Sequence, residues 1–374
     1  MWTKRKLIWN VAVLFAVFAL TIYGVFHGED LGAMTDAIKR ADIRYLIPGV
    51  ALVVCFIWGE SIIIWYMMRS FQIYLKKRVC FLFSSVGFFF SCITPSATGG
   101  QPMQIYYMKK EKIPIPVSTV ILMVVTITYK LVLVVIGLGI LIFGRGFLHH
   151  YLENILPVYY LGLALNVFCV SFMTVLVFHP LLAEEILLKG MDWLERLHLL
   201  RKKEARREKL RDAMQTYRET AAYLKKHYKV IINVILITFL QRFLLFSVTW
   251  MVYLAFGMTG TSAMDVILLQ AVISISVDML PLPGGMGISE SLFLRIFGIV
   301  FGSLTLPALV LSRGLGYYSQ LVISALFTVA AQLYYTLRSE KHSVTMVERA
   351  FVELSQGQEH EDKGNGSDNE RDEK

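Results

Sequence analysis

Charge is thin in this 374-residue chain: Asp, Glu, Lys and Arg make up 17% of it, against 56% hydrophobic residues. Soluble domains carry about 25% charge, so the totals exclude an ordinary soluble protein. Cysteine is thinner still. Cys55, Cys80, Cys92 and Cys169 lie singly in apolar stretches, without the paired spacing of a disulfide framework or a zinc site. They are expected to be buried free thiols. Signatures of soluble catalysis are missing as well: the chain holds no Walker loop, no G-x-S-x-G elbow and no H-E-x-x-H. No segment outside the apolar runs is long and apolar enough to close a catalytic core. His149 and His150 stand together at the end of an apolar run and read as interfacial rather than metal-binding. Neither a cofactor nor a metal is expected.

What the chain has in abundance is apolar runs. Leu7–Phe26, Leu46–Met68, Val117–Phe143, Leu156–Phe178, Val230–Phe256 and Pro307–Leu337 each reach the length of roughly 20 residues that crosses a bilayer's hydrocarbon. Leu7–Phe26 has too long a core for a signal peptide and no small-residue cleavage site, so it reads as an uncleaved first span. Two further runs are interrupted, at Thr94–Pro102 (TPSATGGQP) and Leu280–Ser289 (LPLPGGMGIS). Proline and paired glycine stop helical hydrogen bonding. The backbone groups so freed cannot face lipid and must lie inside protein or line a wet cavity. The expectation is an all-α polytopic membrane protein of six full transmembrane helices plus two re-entrant broken hairpins.

Lysine and arginine set the orientation. Of 37, 29 fall in the head, in Arg69–Arg78, Lys109–Lys112 and 179–229, and in the tail; by the positive-inside rule these pieces are cytoplasmic. The net charge of +9 thus reflects loop topology, and no nucleic acid partner is implied. The reading is a multi-pass protein of the cell membrane with both termini in the cytoplasm. Residues 1–337 form the integral domain, interrupted by a basic helical insertion at 179–229. The tail, 338–374, is expected to be disordered beyond about 355. Within the insertion, Glu184–Leu200 is amphipathic, with Leu187, Met191, Leu194 and Leu197 in a stripe suited to the membrane surface. Arg201–Lys226 is strongly charged, with i,i+4 opportunities of Glu204 and Glu208 against Arg207 and Arg211. It reads as a solvated elbow in contact with anionic headgroups.

Six ionisable residues fall inside the apolar segments: Glu60, Lys130, Arg242, Asp278, Glu290 and Arg313. Each costs roughly 2.5–3.5 kcal/mol on insertion scales, so such residues pair with one another or mark a pathway. The breaks add a second element. Pro102 fits the first position of a helix, where its missing N–H costs nothing. A half-helix starting there, or after Gly284-Gly285-Met286-Gly287, turns N–H groups and a positive dipole end into the bundle, an arrangement that binds anions. The candidate substrate-binding residues are Thr94, Pro95, Gly99, Gly100 and Gln101 at the first break, and Pro283, Gly284, Gly285 and Gly287 at the second. Arg242 and Arg313 would neutralise a phosphate. Asp278 and Glu290 would hold a cationic group, carry a proton or pair with the arginines, and Glu60 and Lys130 would serve in pairing or coupling.

PGGMGISES (Pro283–Ser291) resembles the P-G-G-x-G-x-x-E signature of the lysylphosphatidylglycerol synthase transmembrane-region family, also called flippase-like membrane proteins. TPSATGGQP resembles that family's first motif, and SRGLGYY (Ser312–Tyr318) is similar to its last-helix pattern. The resemblance implies movement of a polar-headed phospholipid between leaflets, such as aminoacylated phosphatidylglycerol, or of a lipid-linked glycan. In two-part members a separate cytoplasmic domain transfers the amino acid. This sequence shows no such domain, so the expectation is a translocator and not the transferase. The alternatives are an integral membrane transferase related to phosphatidylglycerol lysyltransferase, or a membrane partner of a separately encoded synthase. Membrane phospholipids are the implied partners, together with a separate aminoacyl- or glycosyltransferase.

Overall fold

The computed structural model describes residues 31–197, 204–280, 282 and 285–337. Among them every regular element is helical, and five stretches are long and apolar enough to cross a membrane: Ile43–Ser70, Ile115–Phe143, Leu156–Phe178, Tyr228–Ala255 and Ile288–Leu337. The protein is an all-α, multi-pass membrane protein. The predicted span Leu7–Phe26, the break residues Pro283 and Gly284 and the tail 338–374 lie outside the described residues.

In chain order, α1 (Leu31–Arg40) precedes the long α2 (Ile43–Ser70). The first broken pair follows as α3 (Lys77–Ile93) and α4 (Gly100–Lys110). Next come α5 (Ile115–Phe143), the short α6 (Arg145–Tyr151) and α7 (Leu156–Phe178). The insertion supplies α8 (Pro180–Arg196) and α9 (Glu204–Lys226), and α10 (Tyr228–Ala255) spans again. The second broken pair is α11 (Ala263–Val277) and α12 (Ile288–Phe301), followed by α13 (Thr305–Arg313). Local chemistry explains the starts. Pro116, Pro157 and Pro180 occupy the first two positions of α5, α7 and α8, where a missing N–H is harmless. Asp42 caps α2 by accepting the Arg44 N–H at 2.9 Å, and Ser262 caps α11 by accepting from Met264 at 3.2 Å. The predicted last span is indeed helical from Thr305 but contains a π-turn at Gly314–Tyr318.

Contacts between helix ends establish which elements share an end of the bundle. The Tyr223 hydroxyl of α9 donates to the Ser70 carbonyl at the close of α2 (2.7 Å), and the Tyr217 hydroxyl donates to the Leu176 carbonyl near the close of α7 (3.2 Å). At the opposite end the Asp42 N–H donates to the Ala255 carbonyl, joining the start of α2 to the close of α10 (2.8 Å). The 17 residues of α3 and 11 of α4 measure about 25 and 17 Å at 1.5 Å per residue. The 15 of α11 and 14 of α12 measure about 22 and 21 Å. None reaches the ~30 Å of a hydrocarbon core. The first pair leaves from and returns to the α2-closing end, the second to the other end. They are two hairpins entering from opposite sides.

The hairpins are buried by the full spans. Phe56 of α2 packs on Phe88 of α3 at 4.9 Å between ring centroids, and Phe293, Phe297 and Phe301 of α12 stack along one face beside Tyr253 of α10. The outward faces keep Val135, Ile142, Phe168, Phe172, Leu236 and Leu240 exposed, as a lipid-facing surface requires. Of the thiols, Cys80 and Cys92 are buried as expected. Cys55 is exposed and Cys169 partly so, because both lie on outward faces of their helices.

The insertion departs from its expected form. Arg207 does not pair within α9 but reaches α8, bonding Asp192 at 2.6 Å and Glu195 at 2.9 Å. The Glu195 carboxylate, with Asp192 behind it, pushes the Arg207 guanidinium above its ordinary pKa. Arg218 makes a second cross-helix pair with Glu184. Nor is α9 a solvated rod. Met214, Tyr217, Ala221 and Leu224 are buried on one face, at the three- and four-residue spacing of an apolar stripe, against α5 and its neighbours. The α8 stripe is shared: Leu187 and Leu197 are exposed while Ala183 turns inward.

The described residues fall into two compact units, within 1–327 and within 328–374. In the second, 328–337 are helical.

Candidate functional site

At the first break α3 stops at Thr94, whose hydroxyl donates to the Phe90 carbonyl (2.6 Å) and accepts the Gly99 N–H (2.9 Å). Pro95 opens a single 3₁₀ turn to Ala97. The new helix begins at Gly100, two residues before the expected Pro102, which still falls in the first turn, where N–H groups have no intrahelical partner. Gly100 is a close-approach residue. A Cβ there would stand 2.1 Å from Ser91 Oγ and 2.7 Å from the Gly87 carbonyl oxygen, so its absence lets the two limbs touch. Gln101 donates to the Thr126 hydroxyl of α5, and Gln104 Nε2 donates to Glu60 Oε1 of α2 at 2.8 Å.

At the second break Gly285 and Gly287 hold φ of +67° and +86°, conformations that a side chain makes costly. Glu290 folds back to accept the Gly287 N–H at 2.6 Å. This corrects the expectation of an open anion-binding end at α12, because a carboxylate of the chain already neutralises it. The other Glu290 oxygen pairs with Arg313 at 2.6 Å, and Ser289 Oγ, which receives a hydrogen bond from Arg313, lies 3.0 Å from Glu290 Oε2.

The six predicted intramembrane charges resolve into two pairs and a remainder; a seventh, Arg295, lies exposed on α12. Lys130 Nζ lies 2.5 Å from Asp278 Oδ2, and the Tyr129 hydroxyl bonds the other Asp278 oxygen. Arg313 pairs with Glu290. Arg242 instead lies over the Tyr129 ring, 3.5 Å from its centroid, and 4.9 Å from that of Phe56. Its Nε is buried without a hydrogen-bond partner among the described residues, and it is near enough to Asp278 and Glu60 for their charges to act on it.

Two polar chains therefore join the hairpins. One runs from Gln104 through Glu60, Arg242 and Tyr129 to Asp278. The other starts at the Cys92 carbonyl, which accepts from the Tyr317 hydroxyl at 3.0 Å; Arg313 lies over that ring at 5.4 Å and grips Glu290 and Ser289. Beside the second chain, a cavity of about 180 Å³ opens between α10, α11, α12 and α13. Its polar lining includes Thr249, Gln270, Ser289, Ser312, Arg313 and Tyr317, and Ser312 Oγ has no partner among the described residues. The pairing brings together Lys130, Asp278, Glu290 and Arg313 as charged partners, while Thr94, Pro95, Gly99 and Gly100 shape the first turn. Sequence reasoning missed Tyr129, Gln104, Ser289 and Tyr317. Tyr129 and Tyr317 stand next to or four residues from a predicted charge, which is the signal that could have found them.

The family model of the lysylphosphatidylglycerol synthase TM region matches residues 7–324. Comparison with curated proteins gives no match.

Proposed function

The chain belongs to the lysylphosphatidylglycerol synthase TM-region family, and on that premise we propose that it carries a polar-headed phospholipid, such as an aminoacylated phosphatidylglycerol, between leaflets. The family ties the chain to membrane lipids; the translocation is our reading. The observation that carries it is Arg313 at the wall of the internal cavity, held by Glu290 and Ser289. An entering phosphate displaces Glu290 from Arg313, and the ammonium of an aminoacylated headgroup takes up the released carboxylate, so no lone charge is left buried. The released carboxylate keeps the Gly287 N–H and faces the cationic part of an aminoacylated headgroup. Asp278 with Lys130, and Arg242 beside them, continue the polar route toward the first hairpin. The basic end, with Arg69–Arg78 and Lys109–Lys112, lies in the cytoplasm under this reading, which puts both termini there.

The test is leaflet exchange of labelled lipid in proteoliposomes. Purified protein is expected to accelerate exchange of aminoacylated phosphatidylglycerol, phosphatidylglycerol or a polyprenyl glycolipid, and Arg313→Ala to remove at least nine-tenths of the acceleration (about 1.4 kcal/mol or more). No acceleration with any of the three lipids, or full activity in Arg313→Ala, refutes the proposal.

A further inference from the structure

A second cavity, of about 320 Å³, lies where α5 begins and α7 ends and shares no lining residue with the first. Met123 of α5, Leu176 of α7, Ile186 and Leu187 of α8, and Met214 and Tyr217 of α9 are among its walls. Both hydroxyls of the lining are already committed, that of Tyr217 to the Leu176 carbonyl and Met123 Sδ and that of Thr119 to the Ile115 carbonyl. Nothing in that lining asks for a polar ligand. Its volume falls in the lower part of the range for small-molecule sites, roughly 300–1,000 Å³.

The mouth of the cavity names the occupant. Ile186 and Leu187 line it and are also 48% and 47% exposed, and Leu181, Leu182 and Trp193 are exposed on the same helix. Such a face rests against hydrocarbon, so the cavity is continuous with the bilayer at the depth where the spans end. Its rim is basic. Residues 179–229 hold 13 Lys and Arg against 8 Asp and Glu, a balance of +5 at neutral pH. Glu184, Glu185, Asp192 and Glu195 are consumed in pairs with Arg218, Lys189 and Arg207. Lys209 and Arg211, exposed on either side of the wall residue Leu210, take part in none of those pairs. A cationic rim above an apolar slot is complementary to an anionic phospholipid, headgroup on the rim and chain in the slot.

We propose that the insertion and the spans together hold one acyl chain of an anionic phospholipid, with Lys209 and Arg211 on its phosphate, as a standing site separate from the translocation route. The bound lipid clamps α8 and α9 to the start of α5. This site does not depend on transport through the Arg313 cavity.

The test uses the full chain in nanodiscs containing phosphatidylglycerol with a photoreactive diazirine at mid-chain. Crosslinks are expected on the Met123 and Met214 peptides, saturable by unlabelled phosphatidylglycerol and at least tenfold stronger than with a phosphatidylcholine probe. Ala183→Trp and Ala213→Trp fill the slot and are expected to cut that labelling at least tenfold while labelling of the lipid-facing 161–172 segment persists. Lys209→Ala with Arg211→Ala is expected to bring phosphatidylglycerol labelling down to the phosphatidylcholine level. Arg313→Ala is expected to leave it unchanged, which separates this site from the translocation reading. Labelling no stronger than on 161–172, labelling indifferent to tryptophan, or equal labelling by phosphatidylcholine overturns the proposal.

Discussion

Replacing Lys130 by methionine keeps most of the side chain's length and removes its charge. The pair it forms with Asp278 is deep: the two side chains are 11% and 13% exposed and 2.5 Å apart. Removing one partner of such a pair costs about 3–5 kcal/mol, because the other charge is left buried. The surroundings decide where in that range each substitution falls. After Lys130→Met, Asp278 keeps the Tyr129 hydroxyl and the neighbouring Arg242 charge, so the loss is expected at about 3 kcal/mol. After Asp278→Leu, Lys130 retains, among the described residues, Met279 Sδ, a weak acceptor, at 2.9 Å and the Tyr129 ring at 5.5 Å. Arg242 then loses one of its two neighbouring carboxylates as well, and the loss is expected at about 5 kcal/mol. The double substitution removes both desolvated charges and strands one hydroxyl, which costs about 1–3 kcal/mol. It is expected within about 2 kcal/mol of the parent. Equilibrium unfolding in detergent micelles, closed as a double-mutant cycle, reads all three. A Lys130→Met loss under about 1 kcal/mol, a cheaper Asp278→Leu, or a double near the additive sum of about 8 kcal/mol refutes the pairing argument.

Two smaller predictions follow from packing and from the insertion. Gly100→Ala pushes a methyl toward the Gly87 carbonyl and is expected to lower stability by about 1–3 kcal/mol. Gly139→Ala, inside α5 shortly before its last turn and with nothing within 4 Å, is expected to raise it by about 0.5–1 kcal/mol; thermal unfolding of both separates tight packing from glycine content. Arg207→Ala leaves Glu195, whose side chain is 2% exposed, as a buried carboxylate without its cation. Amide exchange along α8 is expected to quicken about tenfold, and Asp192→Ala, which removes a half-exposed partner, to change it far less.

The spans were legible because their ends are chemical. Leu156–Phe178 was readable to the residue, since Pro157 opens it and His179 closes it. The hairpins were legible as interruptions, yet the geometry of the breaks was not: the sequence leaves Glu290 to bind a cation, carry a proton or pair with an arginine, and it pairs with Arg313 while also capping its own helix. Pairing was out of reach for a physical reason. Lys130 and Asp278 are 148 positions apart, and local periodicity carries no information about which charge meets which across a bundle. The face of α9 was missed differently. Its Met214, Tyr217, Ala221 and Leu224 stripe is present in the sequence but outnumbered by lysine, arginine and glutamate, so mean composition hid the period.

Buried ion pairs are weak evidence of stability, since apolar replacements often serve the fold as well or better. A bundle selected for stability alone would therefore have little use for Lys130 with Asp278 or Arg313 with Glu290, and none for Arg242. That guanidinium is met by aromatic faces, worth about 2 kcal/mol when desolvated, and by two carboxylates at longer reach, while its Nε stays unbonded among the described residues. The compensation is incomplete by construction. A site that must accept and release an anion needs that property, because a cation fully committed to protein partners has nothing to offer a phosphate, and a bare one could not be kept in hydrocarbon. Arg313 and Arg242 stand at two grades of commitment along the polar chains joining the hairpins, one released only by exchanging Glu290 and the other already partly open. On the translocation reading, that gradation lets a headgroup pass between the hairpins by successive exchanges of partner, each far cheaper than crossing the hydrocarbon alone.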